Sequence, residues 1–87
     1  MNKQQINLKY LADVLGKTYP FEVYATVKLP DGKTKSEVIK LKVGGFHNRV
    51  KKSIVESNAK YLAKKEKNLD VVSVQRIKSL DPNAILE

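Results

Sequence analysis

Cysteine is absent from the 87-residue sequence, and this absence excludes several kinds of chemistry at once. Without thiols the chain cannot form disulfides, use a thiolate nucleophile, or hold zinc or an iron–sulfur cluster through cysteine ligands. A chain of this length buries only a small core. Its stability must therefore come from side-chain packing or from association with other chains.

Long apolar runs are absent as well. No stretch approaches the roughly 18 apolar residues that a membrane-spanning helix needs. The first ten residues, MNKQQINLKY, lack the apolar core of a secretory signal. The sequence therefore predicts a cytoplasmic protein that folds as a single domain over residues 1–87, with fraying of residues 1–5.

Residues that support catalysis are scarce. The single histidine, His47, has no cysteine to activate, and the nearest serine, Ser53, lies off its helical face. The carboxylates are scattered and form no convincing acid–base pair. Gly44 and Gly45 could present backbone N–H groups to a phosphate, but a turn between two elements is the favoured interpretation. We therefore expect no enzymatic activity, no cofactor and no metal site.

Positive charge is what the sequence has in excess. It contains 17 Lys and Arg against nine Asp and Glu, which gives a formal charge of +8. Residues 28–67 contain twelve of the basic residues and four of the acidic ones, so the excess falls in the middle of the chain. A basic surface attracts nucleic acid, acidic proteins or anionic lipid.

The first half of the chain has the pattern of a β-hairpin. Residues 21–29, FEVYATVKL, alternate between apolar and polar side chains, which is the period of a strand with one buried face. The next four residues, PDGK, have the composition of a tight turn. Residues 35–43 then supply a second strand.

From Phe46 onward the apolar period becomes that of a helix. The predicted core-facing stripe is centred on Ile54 and contains Phe46, Val50, Val55, Tyr61 and Leu62. The predicted opposite side contains Arg49, Lys52, Glu56, Lys60, Ala63 and Lys67. Asn68 is the expected helix end, and residues 69–77, LDVVSVQRI, have the β-branched composition of a strand.

Two short elements flank this core of residues 21–78. Asn7 is expected to cap an N-terminal helix over residues 6–16, and Asp81 and Pro82 are expected to begin a helical turn within residues 81–87. The predicted fold is α+β: a three-stranded, mainly antiparallel sheet with one amphipathic helix on one face and a short N-terminal helix. Because such a sheet is covered on one face, the prediction includes a homodimer.

The helix carries the main predicted binding surface. Five cations on its outer side are expected to contact nucleic-acid phosphates: Arg49, Lys52, Lys60, Lys64 and Lys67. Lys40 and Lys42 of the hairpin are expected to add to the field. Contacts of this kind release counterions and give an affinity that is independent of sequence and falls as salt rises. The alternative is an ordinary solvated helix face, because lysines are common on such faces and Glu56 interrupts the row of cations.

The outer face of the hairpin offers a second surface. Tyr24 shares it with Lys28, Lys40 and Lys42, and an aromatic ring among lysines is the minimum for stacking the bases of a single strand. The favoured alternative is that Leu8 and Leu11 of the N-terminal helix cover this ring.

The order of hairpin, basic helix and valine-rich strand resembles small phage histone-like proteins that coat double-stranded DNA. The matching segments are residues 35–43, 49–67 and 71–74, VVSV. The chain departs from that pattern in its added N-terminal segment and in lacking an acidic tail. The hairpin and helix also resemble a unit of small ribosomal proteins. Both resemblances imply nucleic acid as partner, with duplex DNA favoured and RNA as the alternative, and a phage protein would act in the host cytoplasm.

The favoured function is therefore that of a non-enzymatic, largely sequence-independent nucleic-acid-binding protein. The competing hypothesis is a small phage or mobile-element protein that binds and modulates an acidic host protein. A protein interface is expected to contain exposed aromatic anchors. The candidates for such anchors are Tyr10, Tyr19, Tyr24 and Phe46.

Overall fold

A computed structural model of the chain describes residues 17–45 and 47–87. The described elements are β1 (Thr18–Lys28), β2 (Thr34–Gly44), β3 (Arg49–Val50), α1 (Lys52–Lys67), β4 (Asp70–Ser79) and β5 (Ile85–Leu86). Strands β1, β2 and β4 form an antiparallel sheet in the order β2-β1-β4, and β3 and β5 form a small parallel pair. The predicted N-terminal helix and the predicted fraying of residues 1–5 lie outside the described residues.

The β-hairpin predicted from the alternating pattern is confirmed. β1 and β2 pair without interruption, from Thr18 opposite Gly44 to Lys28 opposite Thr34. In the turn, the Gly32 N–H donates to the Leu29 carbonyl at 2.9 Å. Gly32 has a φ of 90°, a backbone conformation that residues with a Cβ rarely adopt. Both strands are slightly longer than predicted because pairing extends to their ends.

The core lies between one face of the sheet and α1. Four inward side chains of β1 are at most 2% exposed, namely Phe21, Val23, Ala25 and Val27. Ile39, Leu41 and Val43 of β2 continue this face and are also buried. Helix α1 packs against all three strands of the sheet. The predicted α+β architecture, with one amphipathic helix on one face, is therefore confirmed.

α1 turns a different side toward the sheet from the one predicted. Val55, Ala59 and Ala63 are buried, whereas Ile54 and Tyr61 are 45% and 61% exposed. The buried stripe is centred near Ala59, about 140° around the helix from Ile54, and it keeps Val55 of the predicted core residues. The prediction was wrong because it weighted large apolar side chains, while this contact uses alanines that let the helix approach the sheet closely.

The segment before α1 is not helical, contrary to the prediction that the helix begins near Phe46. His47 and Asn48 have φ values of 52° and 59°, which are left-handed and incompatible with an α-helix. Val50 is buried as predicted but belongs to β3. Gly45 lies close to this strand, because a Cβ added to Gly45 would come within 2.8 Å of the Arg49 carbonyl oxygen.

Of the helical turn predicted within residues 81–87, only a single hydrogen-bonded turn is present, in which the Ala84 N–H donates to the Asp81 carbonyl at 3.1 Å, and Ile85–Leu86 forms strand β5 instead. The Ile85 N–H donates to the Asn48 carbonyl at 2.8 Å, and the Glu87 N–H donates to the Val50 carbonyl at 2.8 Å. These long-range backbone bonds fix an extended conformation. Leu86 packs against the core, while Ile85 is 49% exposed.

The two ends of α1 differ in how their backbone hydrogen-bonding groups find partners. At its start, Lys51 gives no side-chain cap, and the Lys52 N–H instead donates to the carbonyl of Glu87 at 2.7 Å. At its end, Asn68 has a φ of 54° and stops the helix, as predicted. Lys64, Lys65 and Lys67 lie in the last turn, where cations interact favourably with the helix dipole.

Strand β4 contains two irregularities in its pairing with β1. Val74 and Val71 lie opposite Ala25 and Val27, and the register shifts leave Gln75 and Val72 as extra residues on the β4 side. Such β-bulges bend and twist a strand. As a result, inward-facing residues of β4 recur at every third position, as in Val71, Val74 and Ile77.

Candidate functional site

Cations from two strands meet on the outer face of the sheet, which is the face opposite α1. Lys40 of β2 and Lys78 of β4 lie on either side of Glu22, and Arg76 lies opposite Tyr24. We call Lys40, Lys42, Arg76 and Lys78 the basic sheet face. No described element covers this face of the sheet. The basic sheet face spans all three strands, because the central strand β1 lies between the two strands that carry the cations.

All four cations of the basic sheet face are exposed. Within the described chain, none of them lies within 4.0 Å of a carboxylate oxygen. Because neighbouring strands are about 4.8 Å apart, the backbones of Lys40 and Lys78 are roughly 10 Å apart across β1. The local field is therefore positive around Glu22, and these ammonium groups are open to an external anion.

Tyr24 lies at one end of the basic sheet face, opposite Arg76, and is half-buried. Its hydroxyl donates to the Glu22 carboxylate at 3.2 Å. The Arg76 guanidinium carbon lies 5.3 Å from the centre of its ring, within the range of a cation–π contact. The Tyr24 hydroxyl is thus fixed by Glu22, and the π-system of the ring contacts the guanidinium of Arg76. The predicted cover over Tyr24, Leu8 and Leu11, lies outside the described residues.

Beyond Tyr24 the outer face becomes neutral and polar. The Gln75 amide nitrogen donates to Thr26 Oγ1 at 3.0 Å and to Ser73 Oγ at 2.7 Å. Gln75 is one of the extra residues of the bulged strand. The positive charge is consequently concentrated at the end of the sheet that contains Glu22 and Tyr24, rather than spread along its length.

The predicted helix surface is divided by the structure. Arg49 belongs to β3 rather than to the helix, and Lys52 is the first residue of α1. The five cations therefore do not form one helical stripe, which corrects the prediction. Moreover, α1 packs on the inner face of the sheet, so its cations lie on the opposite side from Lys40 and Lys42.

Three of the five predicted helix cations are engaged in ion pairs. The distances are 3.2 Å for Lys64 to Asp70, 3.4 Å for Lys67 to Glu37 and 3.5 Å for Arg49 to Glu87. Lys52 and Lys60 are exposed and have no described acid within 4.0 Å. The helix surface is therefore closer to charge balance than its sequence indicates.

On the α1 side of the sheet, the carboxylate of Glu37 contacts two lysines. Burial raises the pKa of Glu37, but hydrogen bonds and charge from Lys35 and Lys67 outweigh burial, so the pKa lies below its ordinary value of 4.5. The carboxylate lies 3.3 Å from the Lys35 ammonium and 3.4 Å from that of Lys67. Glu37 thus ties the end of α1 to β2.

The other candidate residues are distributed as follows. Tyr19 is 8% exposed and belongs to the core, while Tyr10 and Phe46 lie outside the described residues.

Gly44 and Gly45 precede β3 rather than a helix start, so they cannot offer a helix N-terminus to a phosphate. Among the described residues, no group of three histidines or carboxylates is placed to hold a metal ion. The described part of the chain also has no helix with the length and apolarity that crossing a membrane requires.

Sequence reasoning missed Arg76 and Lys78. Both fall outside residues 28–67, in a part of the chain whose charges cancel when they are counted along the sequence. Their alternation at the end of β4, in the segment QRIKS, was the available signal. Only the pairing of β4 with β1 brings them beside Tyr24 and Glu22.

Comparisons of the chain with protein-family models, with curated proteins and with solved structures found no match. The resemblance to phage histone-like proteins therefore stays a prediction.

Proposed function

We propose that the protein binds nucleic acid, without enzymatic activity, through phosphate contacts made by the basic sheet face. The observation that carries this proposal is the convergence of Lys40, Lys42, Arg76 and Lys78 on one outer face without an ion pair to a described acid. Neutralising phosphates with such groups releases counterions, and this affinity does not depend on base sequence. Four cations on one face are enough for a salt-dependent, general interaction.

The ion pairs support the sheet rather than the helix as the main contact surface. A phosphate that binds Lys64 or Lys67 must displace Asp70 or Glu37, and the new contact replaces an existing one. Surface ion pairs contribute only about 0–1 kcal/mol each, so this exchange is not prohibitive. It nevertheless lowers the gain per contact, whereas Glu22, the carboxylate between Lys40 and Lys78, forms no described ion pair with the basic sheet face.

A matched pair of double charge reversals tests the choice of surface. Lys40→Glu with Lys78→Glu changes the net charge by the same amount as Lys52→Glu with Lys60→Glu on the helix side. Binding of duplex DNA, single-stranded DNA and RNA is measured by gel shift across a salt series. We expect the sheet variant to lose at least roughly tenfold in affinity for its preferred nucleic acid and to have a shallower salt slope.

The helix variant is expected to lose less affinity, because it changes only the long-range field. A larger loss of affinity in the helix variant than in the sheet variant would mean that α1, rather than the basic sheet face, is the contact surface. Absence of binding by the unaltered protein at low salt would reject nucleic acid as the partner. Circular dichroism of both variants establishes that each is folded.

A second candidate function is binding to an acidic protein through α1. The observation that favours it is the exposure of Ile54 and Tyr61, which lie two turns apart on the outer side of the helix. Lys65 lies 5.5 Å from the Tyr61 ring centre, so cations border this apolar pair. A pull-down from nuclease-treated lysate tests it, because a partner that is retained by the original chain and lost with Tyr61→Ser would support this function.

A further inference from the structure

We propose that the nucleic acid bound by the basic sheet face is single-stranded, and that one of its bases stacks on the Tyr24–Arg76 pair. This inference rests on the proposed function and adds the substrate class to it. It departs from the duplex DNA that the sequence favours, because the surface now identified is a sheet face that contains an aromatic ring rather than a helix.

The position of Tyr24 is the first argument. Tyr24 lies on the central strand β1, with Val38 and Arg76 directly opposite it on the two neighbouring strands. Lys40 and Lys78 flank Glu22, two residues from Tyr24 along β1, so the ring lies about 7 Å from these lysines, beside a strand that is bound to them. The hydrogen bond from its hydroxyl to Glu22 holds one edge of the ring, which reduces the entropy lost when a base stacks there.

The contact between Tyr24 and Arg76 is the second argument. Aromatic rings and guanidinium planes both stack with unpaired bases, and here the two groups are in contact with each other. Stacking on such groups contributes about 1–3 kcal/mol per base and tolerates all four bases. This matches a surface on which lysines, which suit phosphates as point charges, outnumber arginine.

A neighbouring depression gives room for a second nucleotide. It has a volume of about 340 Å³ and is lined by Pro20, Phe21, Lys40, Leu41, Lys42 and Leu80. Leu80 is 46% exposed, and its N–H donates to the Pro20 carbonyl at 3.0 Å, which holds the end of β4 against β1. An apolar wall beside two lysines suits the face of a base whose phosphates are bound at the rim.

Duplex DNA would use this surface differently. Its bases are already stacked on one another, and its major groove admits a helix or a two-stranded ribbon rather than the face of a three-stranded sheet. A duplex would therefore contact the four cations through phosphates and leave Tyr24 without a partner. The contribution of Tyr24 consequently distinguishes the two kinds of nucleic acid.

The test compares three fluorescently labelled oligomers of equal length with the full chain: a thymidine oligomer, an abasic oligomer with the same phosphates, and a duplex. Affinities are measured by fluorescence anisotropy at one low salt concentration. We expect the thymidine oligomer to bind at least about fivefold more tightly than the abasic one. Tyr24→Leu is expected to remove this preference and to leave abasic binding unchanged, whereas Tyr24→Phe retains the preference.

Arg76→Lys provides a second variant that keeps the charge and loses the planar guanidinium. We expect it to lower the ratio of thymidine to abasic affinity measured on the same variant, and this result does not depend on the folding of Tyr24→Leu. Equal affinities for thymidine and abasic oligomers, tighter binding of the duplex, or a preference that survives both Tyr24→Leu and Arg76→Lys would overturn the inference. Those outcomes leave the proposed function intact, whereas failure of all three oligomers to bind rejects the proposed function itself.

Discussion

At the scale of single residues, Glu37 links charge to folding. Lys35 belongs to the same strand as Glu37, but Lys67 comes from α1, thirty residues along the chain. Because the pKa of Glu37 is lowered in the folded protein, the ionised carboxylate stabilises the fold. The stabilisation is fully present above the ordinary value of 4.5 and is lost as the pH falls through the lowered pKa of the folded state.

We therefore predict that Glu37→Gln lowers the free energy of unfolding at pH 7 by less than about 1 kcal/mol, since the partner lysines are exposed and screened. The deficit should disappear in acid, below the folded-state pKa, where the original carboxyl is protonated. Urea unfolding at several pH values measures this dependence. Glu66→Gln is the matched control, because it removes the same charge from a residue without a described ion pair; an equal effect of both variants at pH 7 would contradict the prediction.

At the scale of secondary structure elements, the orientation of α1 gives the clearest prediction. Val55→Ala deletes two buried methyl groups from the helix–sheet contact, and we expect the free energy of unfolding to fall by about 2–3 kcal/mol. Ile54→Ala, one residue earlier on the same helix, removes a 45% exposed side chain and should change stability by about 0.5 kcal/mol. Chemical denaturation of both variants compares the two sides of the helix. A larger loss of stability in Ile54→Ala than in Val55→Ala would mean that the helix turns Ile54 toward the sheet, as the sequence predicted.

The elements differ in how well sequence predicts them, for physical reasons. The hairpin was predictable because β1 pairs without a bulge and its alternation is local. The orientation of α1 was not, since Ala59 and Ala63 have little hydrophobicity but permit close packing. In β4, two bulges turn an alternating strand into a three-residue pattern that has the period of neither a strand nor a helix. Strands β3 and β5 depend on partners 36 positions apart, from Arg49 to Ile85, which a local pattern cannot contain.

At the scale of the whole molecule, charge counted along the chain gave a misleading site. The middle of the chain holds the excess of cations, but the fold places part of it in ion pairs on the side of α1. It also adds Arg76 and Lys78 to Lys40 and Lys42 on the other side of the sheet. Half of the site was therefore predictable, namely Tyr24 and the two lysines of β2. The other half required the strand order.

The same charge distribution predicts how salt affects stability. The chain carries a formal charge of +8, and the four cations of the basic sheet face outnumber their neighbour Glu22, so that part of the sheet has a net positive charge. Salt screens the repulsion between like charges, and it also screens the ion pairs, but exposed pairs contribute little. Repulsion should dominate, because net charge far from zero opposes the compact state. We therefore expect the Tm to rise by a few degrees between low and physiological salt, measured by thermal unfolding in NaCl.

Neutralising the repulsion locally separates this effect from a general action of salt. Lys42→Gln removes a cation that has Pro20 rather than a carboxylate opposite it, and we expect a higher Tm at low salt together with a smaller rise on adding NaCl. Lys52→Gln lowers the net charge equally but on α1, so its Tm should remain more sensitive to salt. A Tm that falls with salt in the original chain would mean that the ion pairs outweigh the repulsion, and that the basic sheet face is not the main electrostatic cost of folding.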